Sequence, residues 1–328
     1  ASTVSRHVRG GQSVSARVAR RIDAAIAQLG YEPNTLARGL RIGRSRTIGI
    51  LIPHVNNVFF GNAMRTIQDE AQHRGFTVML LMHQEDAKLQ QEQLVSLKRS
   101  QVDGIILVPA AGSNVAQVRQ VLGKTPVVTF DRPLGPDLDS VTLDNRAAGY
   151  QSTEHLLWHK HQRIVSITAP YKLHPLELRL KGHRESMEAA GRRIETIVWQ
   201  DSAQLEQDLC QALRRKRAPA TAIFSNSYSA TIAILGALRN RDIPLRDVAF
   251  IGIDDLEFAS FLTPSLTTLA QPAERFAHLV FEQLMRRIEG SDEACTRITL
   301  PGMLVVRASC GCDPALARSQ GHQPHDLL

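Results

Sequence analysis

Short unbroken apolar runs recur along the chain, each pair separated by enough residues for one helix. The first series is I-G-I-L-I at 48–52, T-V-M-L-L at 77–81, G-I-I-L-V at 104–108 and V-V-T-F at 127–130. A second follows with I-V-S-I at 164–167, A-I-F at 222–224 and V-A-F-I-G at 248–252, spaced by helical stretches such as 202–215 and 228–240. Runs that are apolar on both faces fit parallel strands covered by helices on either side. Two such series in 328 residues predict an α/β protein with two doubly wound parallel-sheet lobes, and such folds bind ligands in a cleft outside the carboxyl ends of their strands.

The residues ahead of the first run are of another kind. Residues 1–46 hold nine arginines against Asp23 and Glu32, which accounts for the whole formal net charge of +7, so the remaining residues balance. A basic end on a neutral body suits a tethered nucleic-acid-binding module, because neutralising phosphates releases counterions. The segment also has a folding pattern. Val18, Ile22, Ile26 and Leu29 recur at spacings of four, four and three, the stripe of an amphipathic helix between Val14 and Gly30, with Ser15 placed to cap its start and Gly30 its end. Tyr31-Glu32-Pro33-Asn34 then reads as a turn into a helix of about two turns, which is marginal alone in water.

Several chemistries lack their motifs. No G-x-G-x-x-G opens a helix, and there is no G-x-x-x-x-G-K-[ST], G-x-S-x-G or H-E-x-x-H, so redox, phosphoryl-transfer and hydrolytic readings have no local support. The Asp254-Asp255 pair is a poor acid/base couple, since neighbours on extended chain point apart. No enzyme activity and no cofactor are expected. Cys210, Cys295, Cys310 and Cys312 are too few and too uneven for a disulfide framework. The C-x-C at 310–312 has no second ligand pair of zinc-like spacing, with His159 and His161 as its candidate companions, so no metal is expected. No run approaches eighteen apolar residues and no apolar stretch follows a basic start, which predicts a cytoplasmic protein with no membrane partner.

Polar residues follow several of the predicted strands: Asp131 after 127–130, Asn226 after 222–224 and Asp254 after 250–252. Carboxylates and amides there can hold vicinal hydroxyls.

Five motifs near the start, T-V-S-R at 3–6, V-S-A-R-V-A-R-R-I at 14–22, L-G-Y-E-P-N at 29–34, L-A-R-G-L at 36–40 and G-R-S-R-T-I-G-I at 43–50, together resemble the lactose-repressor/galactose-repressor (LacI/GalR) family. The resemblance runs on to about residue 310 through F-D-R-P at 130–133, L-E-L-R-L-K-G at 176–182, S-N-S at 225–227, G-I-D-D at 252–255 and P-S-L-T-T at 264–268. It implies a transcription regulator, a repressor, that binds operator DNA as a homodimer and responds allosterically to a sugar, polyol or sugar acid. By position it implies that Ala1, Ser2 and Arg6 face bases in the major groove, with Thr3 and Ser5 nearer phosphates. Asn34 to Leu40 corresponds to the hinge helix, with Ala37 permitting close approach and Leu40 wedged into the minor groove. The family has a further helix and turn upstream, so the helix-turn-helix is expected to be truncated in this chain.

In the core, the resemblance implies Asp131, Arg179, Asn226, Asp254 and Gln271 as effector contacts, with Phe59 and Phe60 as an apolar wall. A helix starting near Pro175 would also turn Arg179 toward the cleft. Asn226-Ser227 stands where the family usually has N-D, and Asn57-Val58-Phe59-Phe60 where N-P-F-F is common. The expected organisation is a truncated helix-turn-helix at 1–32, hinge helix and linker at 33–46, and a periplasmic-binding-protein-like core. One lobe of that core takes 47–143 plus about 273–301, the other 144–272 plus about 302–312, and 313–328 form a tail. A transport-type sugar receptor without a DNA role is the alternative; the basic segment and the lack of a leader-like start count against it.

Overall fold

The computed structural model describes Val4, His7 and residues 15–29 and 44–312. The chain divides into two units, Ala1–Arg46 and Thr47–Leu328. In the first, helix α1 spans Ala16–Leu29 and Ser15 accepts from the amides of Val18 and Ala19. Of the predicted stripe Ile22 is buried, whereas Val18 and Leu29 are exposed. His7 Nε2 lies 2.7 Å from Asp23 Oδ1. Gly30, and all the residues expected to touch DNA, Ala1, Ser2, Thr3, Ser5, Arg6, Asn34, Ala37 and Leu40, lie outside the described residues.

The second unit is built on two six-stranded sheets. Strands β1 (Thr47–Ile52), β2 (Thr77–Met82), β3 (Gly104–Leu107), β4 (Val127–Asp131), β5 (Asp139–Leu143) and β11 (Arg297–Leu300) form the first, in the order β11-β5-β4-β3-β1-β2, all parallel. The second joins β6 (Ile164–Thr168), β7 (Glu195–Val198), β8 (Ala222–Ser225), β9 (Ala249–Ile253), β10 (Thr267–Ala270) and β12 (Met303–Val305) in the order β12-β10-β9-β8-β6-β7, with β12 alone antiparallel. Central strands β1, β3, β4, β6, β8 and β9 are buried almost throughout, as their unbroken apolar runs require.

Helices α2 (Val58–His73), α3 (Ala87–Arg99), α4 (Val115–Leu122) and α9 (Ala273–Ile288) belong with the first sheet; α5 (Asn145–Trp158), α6 (His174–Ala189), α7 (Ser202–Leu213) and α8 (Tyr228–Asn240) belong with the second. Most begin with a side chain that caps their first amides. Asn57, Asp86, Asn114, Asp144, Asp201 and Ser227 do so for α2, α3, α4, α5, α7 and α8, each worth about 1 kcal/mol. The contact between α5 and α6 is closest of all. A Cβ on Gly149 would lie 2.0 Å from the Arg179 carbonyl, and one on Gly182 2.0 Å from the Arg146 carbonyl, so the two backbones touch where side chains are absent.

The chain passes between the sheets at Asp144, at Gln271-Pro272 and at Pro301-Gly302. The helix that follows the second crossing, α9, returns to the first sheet, where Phe276 and Phe281 join Phe59, Phe60 and Phe130 in the core. Three crossings leave a cleft between the two lobes. Among the described residues no helix is long and apolar enough to cross a membrane.

Candidate functional site

The loops that leave the carboxyl ends of both sheets enclose a cleft of about 320 Å³. From the first lobe come the start of α2, Glu85 beyond β2 and Asp131-Arg132 at the end of β4; from the second come the start of α6, Trp199 beyond β7, Ser227 and Tyr228 beyond β8, and Asp254 beyond β9. Gln271, on a crossing segment, lies between them.

At the centre is Arg179, whose register on α6 buries it against the second sheet. One terminal nitrogen, Nη1, donates to the Asn226 carbonyl at 3.1 Å. Asn226 in turn donates through Nδ2 to Thr168 Oγ1 at 2.9 Å and to the Leu176 carbonyl at 3.0 Å, which ties β6, β8 and α6 into one support. Asp254 receives Gln271 Nε2 on Oδ1 at 2.7 Å and Asn57 Nδ2 on Oδ2 at 3.5 Å. Across the cleft, Arg132 clasps Glu85 with both terminal nitrogens at 2.9 and 2.7 Å and donates to the Pro109 carbonyl, while its Nε is 3.3 Å from Asp131.

These charges are nearly sealed from solvent: Asp131 is 6%, Arg179 4% and Asp254 2% exposed. Burial raises both carboxyl groups above the ordinary aspartate range, and the neighbouring Arg179, with Arg132 at Asp131, opposes that rise. Burial likewise weakens the hold of Arg179 on its proton, and Asp254 and Asp131 partly oppose this. The cluster is therefore mutually dependent. Among the described residues, Arg179 Nε, Gln271 Oε1 and Trp199 Nε1 are buried with no hydrogen-bond partner inside the chain. Donors and acceptors left over in one small cleft suit a ligand that offers both at many positions, as a polyhydroxylated ring does.

Six of the seven residues predicted for this site line it: Phe59, Phe60, Asp131, Arg179, Asp254 and Gln271. Phe59 also stacks on Phe130, with ring centroids 5.2 Å apart, so the apolar wall is continuous with the core of the first lobe. Asn226 is not among the lining residues; it lies beneath Arg179 and fixes that side chain. The sequence reading passed over Arg132 and Glu85. Arg132 stood in the F-D-R-P motif and was readable there; Glu85, on the turn after an exposed edge strand, carried no signal. Asp255 turns away from Asp254 to pair with Arg307 at 2.7 Å, so the adjacent carboxylates do not share one site.

A family model described as a periplasmic binding protein-like domain matches residues 153–310. Among curated proteins, the ribose operon repressor of Escherichia coli K12 is 30% identical over 320 residues, covering 94% of this chain and 95% of that protein. Among solved structures, a putative ribose operon repressor from Burkholderia thailandensis superposes with a TM-score of 0.70 at 27% identity, over 80% of this chain and 99% of the other. A complex of the transcriptional regulator CelR with cellobiose superposes equally well, with a TM-score of 0.70 at 27% identity, over 93% of this chain and 94% of that one.

Proposed function

The chain belongs to the lactose-repressor/galactose-repressor family of transcription regulators, and from that premise we propose how its parts divide the work. It is a sequence-specific DNA-binding repressor whose operator affinity is set allosterically by a small sugar or sugar-derived effector. The observation that carries the effector assignment is the buried constellation of Arg179 with Asp131 and Asp254, held between the lobes by residues from both.

Phe59 and Phe60 supply a wall for the apolar face of a sugar ring, and Asp131, Arg179, Asp254 and Gln271 hold its hydroxyls. Arg132 joins this set from the first lobe. Asn226 acts by orienting Arg179. An arginine at the centre admits a sugar acid as readily as a neutral sugar or polyol, because its planar fork suits a carboxylate. The cleft is read as a binding site rather than a catalytic one: Asp131 and Asp254 are engaged by Arg132 and Gln271.

The DNA module comprises 1–32, with hinge helix and linker at 33–46, and reads bases through Ala1, Ser2 and Arg6, phosphates through Thr3 and Ser5, and the minor groove through Asn34, Ala37 and Leu40. The two lobes are 47–143 with 273–301 and 144–272 with 302–312, followed by a tail. In the cytoplasm a homodimer presents two such modules to a pseudo-palindromic operator, and effector in the clefts favours one lobe arrangement over the other. A coupling of about 1–3 kcal/mol per site is typical of such linkage.

The test is a thermal-shift panel of sugars, polyols and sugar acids on the parent and on Asp254→Ala, followed by operator binding across a salt series with and without the compound that stabilises most. A ligand that stabilises the parent, fails on the variant and changes operator affinity supports the reading. Absence of any stabilising compound, or an equal response of the variant, removes the cleft assignment.

A further inference from the structure

The C-x-C motif near the end of the chain meets the end of the helix capped by His159, one of the two companions the sequence offered it. His155 and His159 stand one turn apart at the end of α5, and the chain returns past them as Cys310-Gly311-Cys312. His155 Nε2 is 3.2 Å from Cys310 Sγ and 3.5 Å from Cys312 Sγ; His159 Nε2 is 2.9 Å from Cys312 Sγ; the two sulfurs are 3.1 Å apart. All four ligand atoms lie within 4.8 Å of one another. His161, the other companion expected from the sequence, is turned to Thr221 Oγ1 at 3.0 Å and does not join them.

We propose that His155, His159, Cys310 and Cys312 form a tetrahedral binding site for Zn(II), which pins the end of the second lobe to helix α5. Two thiolates and two imidazoles are the donor set of closed structural zinc sites. Zinc bonds of about 2.3 Å to sulfur and 2.0 Å to nitrogen put tetrahedral ligand atoms roughly 3.3–3.8 Å apart, so the shortest contacts, 2.9 Å between His159 and Cys312 and 3.1 Å between the sulfurs, need to open by about 0.6–0.7 Å. The ligand spacing is also built in. The i, i+4 pair on one helical face converges two imidazoles, and Gly311, at φ 91°, takes the left-handed turn that brings both sulfurs to the same side.

The surroundings agree with a closed site. Cys310 is fully buried, and His155, His159 and Cys312 around it are half-buried. The Trp158 ring packs edge-on to that of His159 with centroids 4.7 Å apart. Just upstream, Ser309 is stitched to the start of β9 by two hydrogen bonds with Phe250, so a metal here would extend an anchorage already present and close a loop of more than 150 residues. A second cluster, Glu70, His278 and Glu282, has a different explanation: His278 hydrogen-bonds Glu70 and Glu282 pairs with Arg74.

The test is elemental analysis of the full chain purified without metal-affinity resin, with zinc or cobalt(II) then added to the chelator-treated protein. The expected result is about one zinc per chain, thiolate-to-cobalt charge transfer with the intense visible bands of tetrahedral cobalt, and a melting temperature raised by zinc. Cys312→Ser and His155→Gln, each shown to be folded by circular dichroism, should lose these responses, while His278→Ala keeps them. The proposal is overturned if the folded parent takes up no stoichiometric zinc, if its cobalt complex lacks thiolate charge transfer, if the cysteines are recovered from reduced preparations as a Cys310–Cys312 disulfide, or if the two ligand variants bind as the parent does.

Discussion

Asp131 and Asp254 occupy matching places in two different sheets: Asp131 ends and Asp254 directly follows the third strand in its sheet's order, each has a left-handed backbone, at φ 67° and 66°, and each interacts with the same Arg179 guanidinium. Left-handed φ at a residue other than glycine costs roughly 1 kcal/mol or more, and aspartate is among the residues that tolerate it. The return on that strain is that two carboxylates from separate lobes converge on one cation. Arg179→Met would leave both buried carboxyl groups without it, and a loss of about 3–5 kcal/mol in unfolding free energy is expected. Adding Asp254→Asn to Arg179→Met should recover part of the loss. Urea unfolding of the parent, both single variants and the double variant measures this coupling, and strict additivity would show that Arg179 does not serve Asp254.

Gln271 sits on a crossing between the lobes, gives one hydrogen bond to Asp254 and keeps Oε1 partnerless. That geometry leaves one acceptor for a ligand hydroxyl. Gln271→Ala is therefore expected to weaken the binding of the stabilising sugar by about tenfold, since one net hydrogen bond is worth about 1 kcal/mol or slightly more, and to lower unliganded stability by about 1–3 kcal/mol, because buried Asp254 Oδ1 loses its donor. Calorimetric titration reads the affinity directly. An unchanged dissociation constant would take Gln271 out of the contact set.

The same logic of close approach separates two glycines that look alike in sequence. Gly149, inside α5, abuts the carbonyl of Arg179, so a methyl group there must push away the helix that carries the central cation. Gly236, inside α8, has nothing within 4 Å of where its Cβ would be. Gly149→Ala is expected to cost about 3 kcal/mol or more and to impair sugar binding, whereas Gly236→Ala should stabilise by roughly 0.5–1 kcal/mol. Melting curves of the two variants should move in opposite directions. Movement in the same direction would contradict the packing of α5 on α6.

What the sequence disclosed follows from the same forces. Strands β1, β3, β4, β6, β8 and β9 are covered on both faces, so they had to be apolar without interruption and were legible. Strands β5, β10 and β11 were not, because their polar residues are satisfied by specific distant partners. Asp139 in β5, for example, is buried with its carboxylate held by Arg287 of α9, from 2.6 Å, and by the Thr296 amide at 2.7 Å. Edge strand β7 carries Glu195, which Arg163 and Arg215 hold, and so reads as surface. Within the cleft, residues at the ends of legible strands were found and Glu85 was not. The histidine–cysteine cluster was only half legible for a related reason: His159 was offered as a companion of the C-x-C and His155 was not, because the two halves lie 151 residues apart at their nearest and only the fold brings them together.

His183 provides a test by pH. It lies on α6, fully buried, with its ring stacked on Phe224 at 5.5 Å and Nδ1 2.8 Å from Thr153 Oγ1. Burial, assisted by Arg184, holds the imidazole neutral by lowering its pKa to about 4. The unfolded chain, with an ordinary histidine near 6.5, takes up a proton first as the pH falls. The stability owed to the neutral ring is thus complete above about pH 6.5 and is lost as the pH drops from there toward about 4, at a slope of roughly 1.4 kcal/mol per pH unit. Between about pH 7.5 and pH 5 the parent should lose about 2 kcal/mol more than His183→Gln, which has no such proton to bind. Urea unfolding of both proteins at the two pH values checks this difference. Parallel pH profiles would mean that His183 is not held neutral by its surroundings.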